Sequence, residues 1–412
     1  MTPVAGAIDR AITGAGLQMA FQPIVRLPDE VCVGYEALAR WPSIPSWSPA
    51  AVFSQAAAAG LLDRLDAACV DRAATSALHA GAASPGMLLA INSEPTVAHV
   101  GGPDGAALAE AAAQFRVIFE LTERGLLTHP RATLGKVAQL RAKGFAIALD
   151  DVGAHPDSLA LLDIVAPEII KLDLGLVQGQ PGRLQARTVA AVLAHHERTG
   201  AAILAEGIET EEHLEQALAY GACLGQGYRF GAPGELGSCP TSWTLPEVRV
   251  EADTADEPSV FELTARGLPI RTVRKDVLLA LSRQIERLAA AADSPPIILT
   301  TVQDVRYFSG ETRRVYRDLA ETSPLVAIFG VGVGAVADLD AGIRGVDLRR
   351  SDPLCEEWTI VVLGPDSSAA LVARESASPP GGPDGDRCFQ MTITFDRSRV
   401  AVAARKLLDR ML

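Results

Sequence analysis

Positive charge is what this 412-residue chain lacks first: 37 Lys and Arg stand against 50 Asp and Glu, a formal net charge of −13. So acidic a surface is a poor general binder of nucleic-acid polymers, whose phosphates select basic faces. A small anionic ligand stays open, provided that Arg, Lys or metal ions gather locally. Cys-x-x-Cys pairs are also missing. The six cysteines (Cys32, Cys69, Cys223, Cys239, Cys355 and Cys388) are scattered, which reads as reduced thiols in a cytosolic chain rather than a disulfide frame or a Cys/His metal cluster. No apolar run is long enough to span a bilayer, and Met1–Gly16 has no basic start leading into an apolar stretch. Neither a membrane span nor a secretory leader is expected, and the expected location is cytoplasmic.

What is present is ample core material. Hydrophobic residues make up 48% and charged residues 21% of the chain, and its length calls for two domains. From Met19 to about Phe230, short apolar runs alternate with Ala-rich amphipathic stretches. The runs 19–25, 31–38, 87–92, 116–123, 145–151, 168–173, 201–207 and 223–227 read as strands; 128–143, 181–199 and 210–220 read as helices. Repeated strand–helix alternation predicts a parallel sheet with helices outside, and eight such strands fit a closed barrel. The first two strands are separated by only a few residues, Pro28, Asp29 and Glu30 among them. That is too short for a crossover helix, so this pair is expected to be antiparallel. The fold class is therefore α/β: a TIM-type (β/α)8 barrel over residues 1–235 with one antiparallel strand.

Residues 236–258 are rich in Pro, Gly, Ser and acids and read as a linker. A smaller α/β domain is expected over 259–412. Its apolar positions Val273, Val277, Leu281, Ile285 and Leu288 mark an amphipathic helix over Arg271–Ala291. Strands are expected at 297–303, 325–333, 357–363, 369–374 and 389–395, with helices at 309–321 and 397–411. Ser378–Asp386 reads as an exposed loop. The run 330–334 is Gly-rich but lacks the Lys-Ser/Thr of a phosphate loop. Arg313, Arg314, Glu356 and Glu357 read as a solvated charged face. No internal repeat links the two halves.

A polar residue stands at or near the end of nearly every barrel strand: Glu36, Asn92, Glu120, Asp150 with Asp151, Lys171, Glu206 and Gln226. Singly, each reads as a solvated loop residue or a helix cap. In a barrel these ends converge on one face, where such folds carry out catalysis. Carboxylates pressed together repel unless cations sit among them, and oxygen ligands suit hard divalent ions such as Mg²⁺ or Mn²⁺. Two such ions can clamp the attacking and leaving oxygens of a phosphodiester displacement. His155 beside Pro156 has no ligand spacing and reads as a surface residue.

The segment YEALAR (35–40) resembles the signature of the EAL family of cyclic di-GMP phosphodiesterases. So do FQPIV (21–25), FELTE (119–123), LDDVG (149–153), IKLD (170–173), AEGIE (205–209) and QGYRFGAP (226–233), in the family's order. The resemblance implies hydrolysis of cyclic di-GMP to linear pGpG, with two Mg²⁺ or Mn²⁺ ions per site, in a homodimer. It implies that Glu36, Asn92, Glu120 and Asp150 hold the first metal. Asp151 holds the second, with Asp150 bridging and Glu206 nearby. Lys171 contacts the nucleophilic water, Gln226 orders that site, and Arg40 pairs with a substrate phosphate. Gln22, Leu38 and Pro233 match positions lining the nucleotide groove, although all three also read as ordinary barrel packing. Glu123 matches the glutamate that anchors the loop after Asp151.

That loop departs from the family. Where Phe-Gly and further Gly, Thr and Ser are usual, the run from Val152 to Ser158 is VGAHPDS; Asn92 is followed by Ser-Glu-Pro, with Glu94 where serine is common. A reduced rate, or a cyclic di-GMP receptor acting through a protein partner, is the alternative; a scaffold that binds no nucleotide would leave the acids unexplained. The second domain resembles the DICT sensory module through SRQIE (282–286), 306–320, LVAIFGVG (325–332) and DPLCEEW (352–358). A ligand or protein partner is expected there, its identity unread.

Overall fold

The computed structural model describes residues 9–411, apart from 82–83, 85, 98–99, 102–104, 123–126, 155–158, 242, 249–258, 309, 335–339 and 377–386. Glu123, His155 and the expected loop 378–386 lie outside the described residues. The chain forms two compact units, one of residues 1–158 and 165–249, the other of 159–164 and 250–412.

The first unit is a closed eight-stranded barrel: β1 (Gln18–Arg26), β2 (Val31–Arg40), β3 (Leu88–Asn92), β4 (Arg116–Thr122), β5 (Ala146–Val152), β6 (Ile169–Leu172), β7 (Ala202–Ala205) and β8 (Leu224–Gly225). β1 runs antiparallel to both β2 and β8, while β2 through β8 pair in parallel. The short 27–30 connection forces this reversal, as the sequence predicts. Because β1 pairs along the whole of β2, from Arg26↔Val31 to Gln18↔Arg40, β2 extends four residues past Glu36. Glu36 is thus mid-strand, while the parallel β2/β3 ladder already stops at Ala37↔Ile91.

Local chemistry sets the helix ends. Ser48 caps helix Pro49–Ala58 by accepting from the Ala51 amide, with Pro49 in the first turn. Thr210 caps helix Glu211–Ala219, whose first turn carries two acids suited to the positive helix terminus. Gly200, at φ 84°, closes helix Arg183–Thr199 in the left-handed conformation. Inside the barrel, Ile24, Val33, Leu88, Ala90, Ile118, Ala146, Ala148, Ile169, Ala202, Leu204 and Leu224 fill one layer. Several are the first residues of their strands, so this layer is the floor, opposite the end where the parallel strands finish.

The stretch expected as a linker is partly structural. Leu236 and Cys239 are buried, and Trp243 and Leu245 pack against the floor layer. Residues 249–258 lie outside the described set.

The second unit is a seven-stranded mixed sheet of β9 (Arg271–Arg274), β10 (Ile297–Asp304), β11 (Val326–Val331), β12 (Ile343–Asp347), β13 (Glu357–Leu363), β14 (Ser368–Glu375) and β15 (Cys388–Thr394). Their order is β12-β11-β10-β13-β14-β15-β9. Two expectations need correction. The helix begins at Lys275, not Arg271: residues 271–274 pair with β15 as a strand. Its buried face is Leu278, Ser282, Ile285 and Ala289, whereas Val277 and Leu288 are 45% and 42% exposed. Of the expected stripe, Ile285 is buried and Val273 and Leu281 pack partly buried against the core. Glu357, expected on a solvated face, is buried, taking hydrogen bonds from the Ser259 hydroxyl and the Phe261 amide. Among the described residues no helix is long and apolar enough to cross a membrane.

Candidate active site

Strand register brings the polar residues inward in pairs. Gln22 faces Glu36 across β1/β2, and Asn92 faces Glu120 across β3/β4. Directly opposed residues share a face, so each pair points into the barrel. Lys171, on β6, is 1% exposed and sits among the acids. Its Nζ is 2.9 Å from Glu120 Oε2, 2.9 Å from Asp150 Oδ1, 2.8 Å from Glu206 Oε1 and 3.7 Å from Glu36 Oε2. Asn92 Nδ2 donates to Glu36 Oε1 at 2.7 Å, and Gln226 Nε2 donates to Glu36 Oε2 at 2.6 Å. Gln22 Oε1 accepts from the same Gln226 amide at 3.3 Å.

The electrostatics follow from one ammonium among four carboxylates. Burial opposes the Lys171 charge, but Asp150, Glu120, Glu206 and Glu36 outweigh it and hold the ammonium well above its usual range. Burial likewise opposes ionisation of Glu36; Lys171 and the hydrogen bonds to Glu120, Gln226 and Asn92 prevail and keep its carboxyl below the usual range. Glu120 goes the other way: burial and the neighbouring Glu36 push it well up, against Lys171. Glu206 is raised to about 8 by burial, with Asp150 and Glu36 adding to it and Lys171 opposing. The centre carries more acid than its lysine can neutralise.

The donor set fits divalent cations. One carboxylate oxygen from each of Asp150, Asp151 and Glu206 lies within 4.8 Å of the others. Gln226 Oε1 is buried without a hydrogen-bond partner. Asp151 takes a left-handed φ of 57° where the β5/β6 register breaks between Leu149 and Val152. That break lets two consecutive acids both serve the site instead of alternating across the strand. Gly227 keeps Gln226 in place: a Cβ there would lie 2.1 Å from the Ile208 carbonyl oxygen.

Beside Glu36 and Asn92 opens a cavity of about 300 Å³, which Leu38 and Arg40 also line. The Arg40 guanidinium donates to its neighbour's carbonyl, Ala39 O, at 2.9 Å. Neither Gln22 nor Pro233 lines this cavity; Pro233 precedes the Phe21↔Gly234 bridge that ties the chain to β1. Two residues escaped the sequence reading. Asp66, on helix Leu62–His79, accepts from Ser93 Oγ at 3.0 Å and from the Glu94 amide at 2.8 Å, fixing the turn that follows Asn92. Lys136 pairs with it at 3.6 Å, both side chains fully buried. Nothing in their local sequence marks them, since charged residues in Ala-rich helices read as solvated.

Fold and centre define a class: a barrel with a reversed first strand and an acidic, lysine-pinned cluster at the carboxyl ends of its parallel strands. Residues 5–233 match the sequence profile of the EAL domain, and the chain belongs to that family. Residues 257–376 match the profile described as the sensory domain in diguanylate cyclases and two-component systems, DICT. The chain is 27% identical over 245 residues to the cyclic di-GMP phosphodiesterase RocR of Pseudomonas aeruginosa, covering 56% of this chain and 61% of RocR. It is 29% identical over 232 residues to PA2567 of that organism, also named a cyclic di-GMP phosphodiesterase, covering 54% and 39%. The chain thus spans less than two thirds of either relative. Among solved structures it resembles Klebsiella pneumoniae BlrP1 in a calcium and cyclic di-GMP complex, at 30% identity over 55% of this chain and 58% of that one, with TM-score 0.46. The PaMucR phosphodiesterase in complex with cyclic di-GMP matches at 28% identity over 53% and 97%, with TM-score 0.46.

Proposed function

We propose that the barrel hydrolyses cyclic di-GMP to linear pGpG with divalent metal ions, under the control of the C-terminal domain. The observation that carries this reading is Lys171, buried among four carboxylates at 2.8–3.7 Å. Family membership and the phosphodiesterase names of the relatives support it.

Glu36, Asn92, Glu120 and Asp150 would hold one Mg²⁺ or Mn²⁺, and Asp151, with Asp150 and Glu206, a second. When bound, such ions offset phosphate charge and make water a stronger nucleophile at neutral pH. Lys171 keeps its proton and so orients an attacking water through a charged N–H donor rather than acting as a base. Glu206, 2.8 Å from Lys171, would tie that ammonium to the second ion. Arg40, in the adjoining cavity, is suited to a phosphate by its planar fork of donors. Leu38, which lines the same cavity, then borders the nucleotide, while Gln22 accepts from Gln226.

The deciding experiment incubates the purified chain with cyclic di-GMP and Mg²⁺ or Mn²⁺, following both binding and linear product. Binding with product supports the enzyme. Binding without product supports the second reading, a receptor, which the altered run after Asp151 favours. Neither would leave a scaffold. Control by the second domain predicts that removing residues 255–412 changes the rate. The expected homodimer is tested by light scattering.

A further inference from the structure

The C-terminal unit contains a cavity of about 250 Å³ between helix Lys275–Ala290, helix Gly310–Ala320 and the β10/β13 face. Leu279, Val302, Val315, Ile360 and Trp358 make its wall largely apolar. Tyr316 lines it too, is 1% exposed, and is hydrogen-bonded to Thr300 and Glu286. Burial holds the Glu286 carboxyl above its usual range, against the hydrogen bond from Tyr316 and the charge of Arg283. An ordinary packing void is small and apolar; this one has a carboxyl group built into it.

Two further features point to a ligand. Gln303 lines the cavity from a left-handed φ of 61°, at a break in the β10/β11 register between Thr301 and Gln303. Strained non-glycine residues at such breaks gather where a strand re-aims a side chain at a ligand. The lining also carries Lys275, Arg283 and Arg387 beside Glu286 and Glu311, and Arg387 is itself held by Glu375 at 2.7 Å. Arg283 pairs with Glu311 at 2.6 Å, both more than half exposed, which marks the mouth.

We propose that this cavity takes a compact planar nitrogen heterocycle, which donates a ring N–H to Glu286 and turns an acidic substituent toward Lys275 and Arg387. The volume, just below the roughly 300–1,000 Å³ of drug-sized sites, admits one fused ring system. Trp358 offers that ring an aromatic wall, and the N–H donors of Lys275 and Arg387 at the lining suit an acid rather than an amine.

Three probes test this on the full chain by isothermal titration. Indole-3-acetate has the ring N–H and the acid, naphthalene-1-acetate lacks the N–H, and tryptamine reverses the charge. Indole-3-acetate is expected to saturate one site, with the other two about tenfold or more weaker, the loss for one buried hydrogen bond or charge match. Leu279→Trp, which fills the cavity, should remove binding, and Glu286→Met should weaken it to the level of naphthalene-1-acetate. Equal affinity for indole-3-acetate and naphthalene-1-acetate in the unaltered protein would overturn the role of Glu286, whatever the variants do. No saturable binding of indole-3-acetate at millimolar concentration, or binding unchanged by Leu279→Trp, would overturn the site.

A separate observation lies at the barrel floor. The geometry points to Cys32 and Cys239 as a peroxide-responsive thiol pair. Their sulfurs are 3.0 Å apart, about 1 Å beyond a covalent S–S bond of about 2.05 Å. Cys32 is half-buried, and Cys239 is buried on the segment that packs beneath the barrel. The hydrogen bond with Cys239, opposed by burial and aided by one from Tyr35, holds the Cys32 thiol below its usual range, which favours the nucleophilic thiolate. The thiolate attacks hydrogen peroxide, breaking the O–O bond to give a sulfenic acid and, after protonation, water. Cys239 then attacks the sulfenic sulfur, expelling a second water as the disulfide forms.

Peptide mapping after equimolar peroxide should find a 32–239 crosslink ahead of oxidation at Cys69, Cys223, Cys355 and Cys388. In Cys239→Ser, Cys32 should instead carry a sulfenic acid that a dimedone probe captures. If mapping showed both thiols intact while other cysteines oxidised, the pair would be inert and the proposal lost.

Discussion

The Nζ of Lys171 lies 2.8 Å from Glu206 Oε1, and three more carboxylates crowd the same ammonium. Removing the lysine should therefore have two separable effects. Lys171→Ala should lower turnover about 10²–10³-fold, the scale for losing one charged donor at a reacting centre, while cyclic di-GMP still binds. It should also melt lower in chelator and gain more than the unaltered protein from Mg²⁺ or Mn²⁺, because four carboxylates then face each other without a cation. Calorimetry with and without metal checks the second effect, and product assays the first. A variant that kept most of its rate would remove Lys171 from the mechanism.

Chelation should stop hydrolysis, and added Mg²⁺ or Mn²⁺ should restore it. Glu36→Ala should weaken both metal binding and turnover, since that carboxylate is held by Asn92 and Gln226 and shared with Lys171. Full turnover in excess chelator would rule out a metal-dependent reaction.

Asp66 and Lys136 form a fully buried pair that also holds the Ser93–Glu94 turn. Asp66→Ala removes the carboxylate that faces the buried Lys136 ammonium and should cost about 3–5 kcal/mol. The double change Asp66→Leu with Lys136→Met should recover much of that stability but not the position of Asn92, so turnover should stay low. Urea melts and rate measurements on the single and double variants check this; full recovery of rate would make the pair purely structural.

Burial raises the Glu357 carboxyl to about 7, against hydrogen bonds from Ser259 and Phe261. In the unfolded chain it loses its proton near the ordinary value of 4.5. Between these two values the native state binds more protons than the unfolded state, so stability falls as pH rises through that window and levels off above it. The full change is about 3 kcal/mol. Glu357→Gln should abolish that slope. Hydrogen exchange of the β13 amides at about pH 5 and about pH 8 reads the difference; an equal slope in the variant would place the titration elsewhere.

The barrel and its acids were legible because their signals are local. Each acid of the centre interrupts or closes an apolar run, and four residues between β1 and β2 leave no room for a crossover. Asp66 and Lys136 were not legible, because only tertiary packing turns charged residues of a helix into a buried pair. Part of the helix stripe failed for a similar reason. Val277 and Leu288 satisfy helical spacing but face solvent, whereas Leu278 and Ala289, one residue further on, meet the sheet. Arg271–Arg274 is a strand only because β15, more than a hundred residues later, pairs with it. β12 was missed because IRGVD is short and charged, an edge strand whose partner supplies what its composition does not.

The match to the EAL domain ends at residue 233, yet the floor of the barrel is completed by Trp243 and Leu245. During synthesis the lower opening of the barrel therefore stays uncovered until those residues leave the ribosome. A gene fragment cut at the family boundary would release a barrel without the two side chains that pack on its floor layer, and poor yield from such a fragment would reflect a missing lid rather than a missing domain.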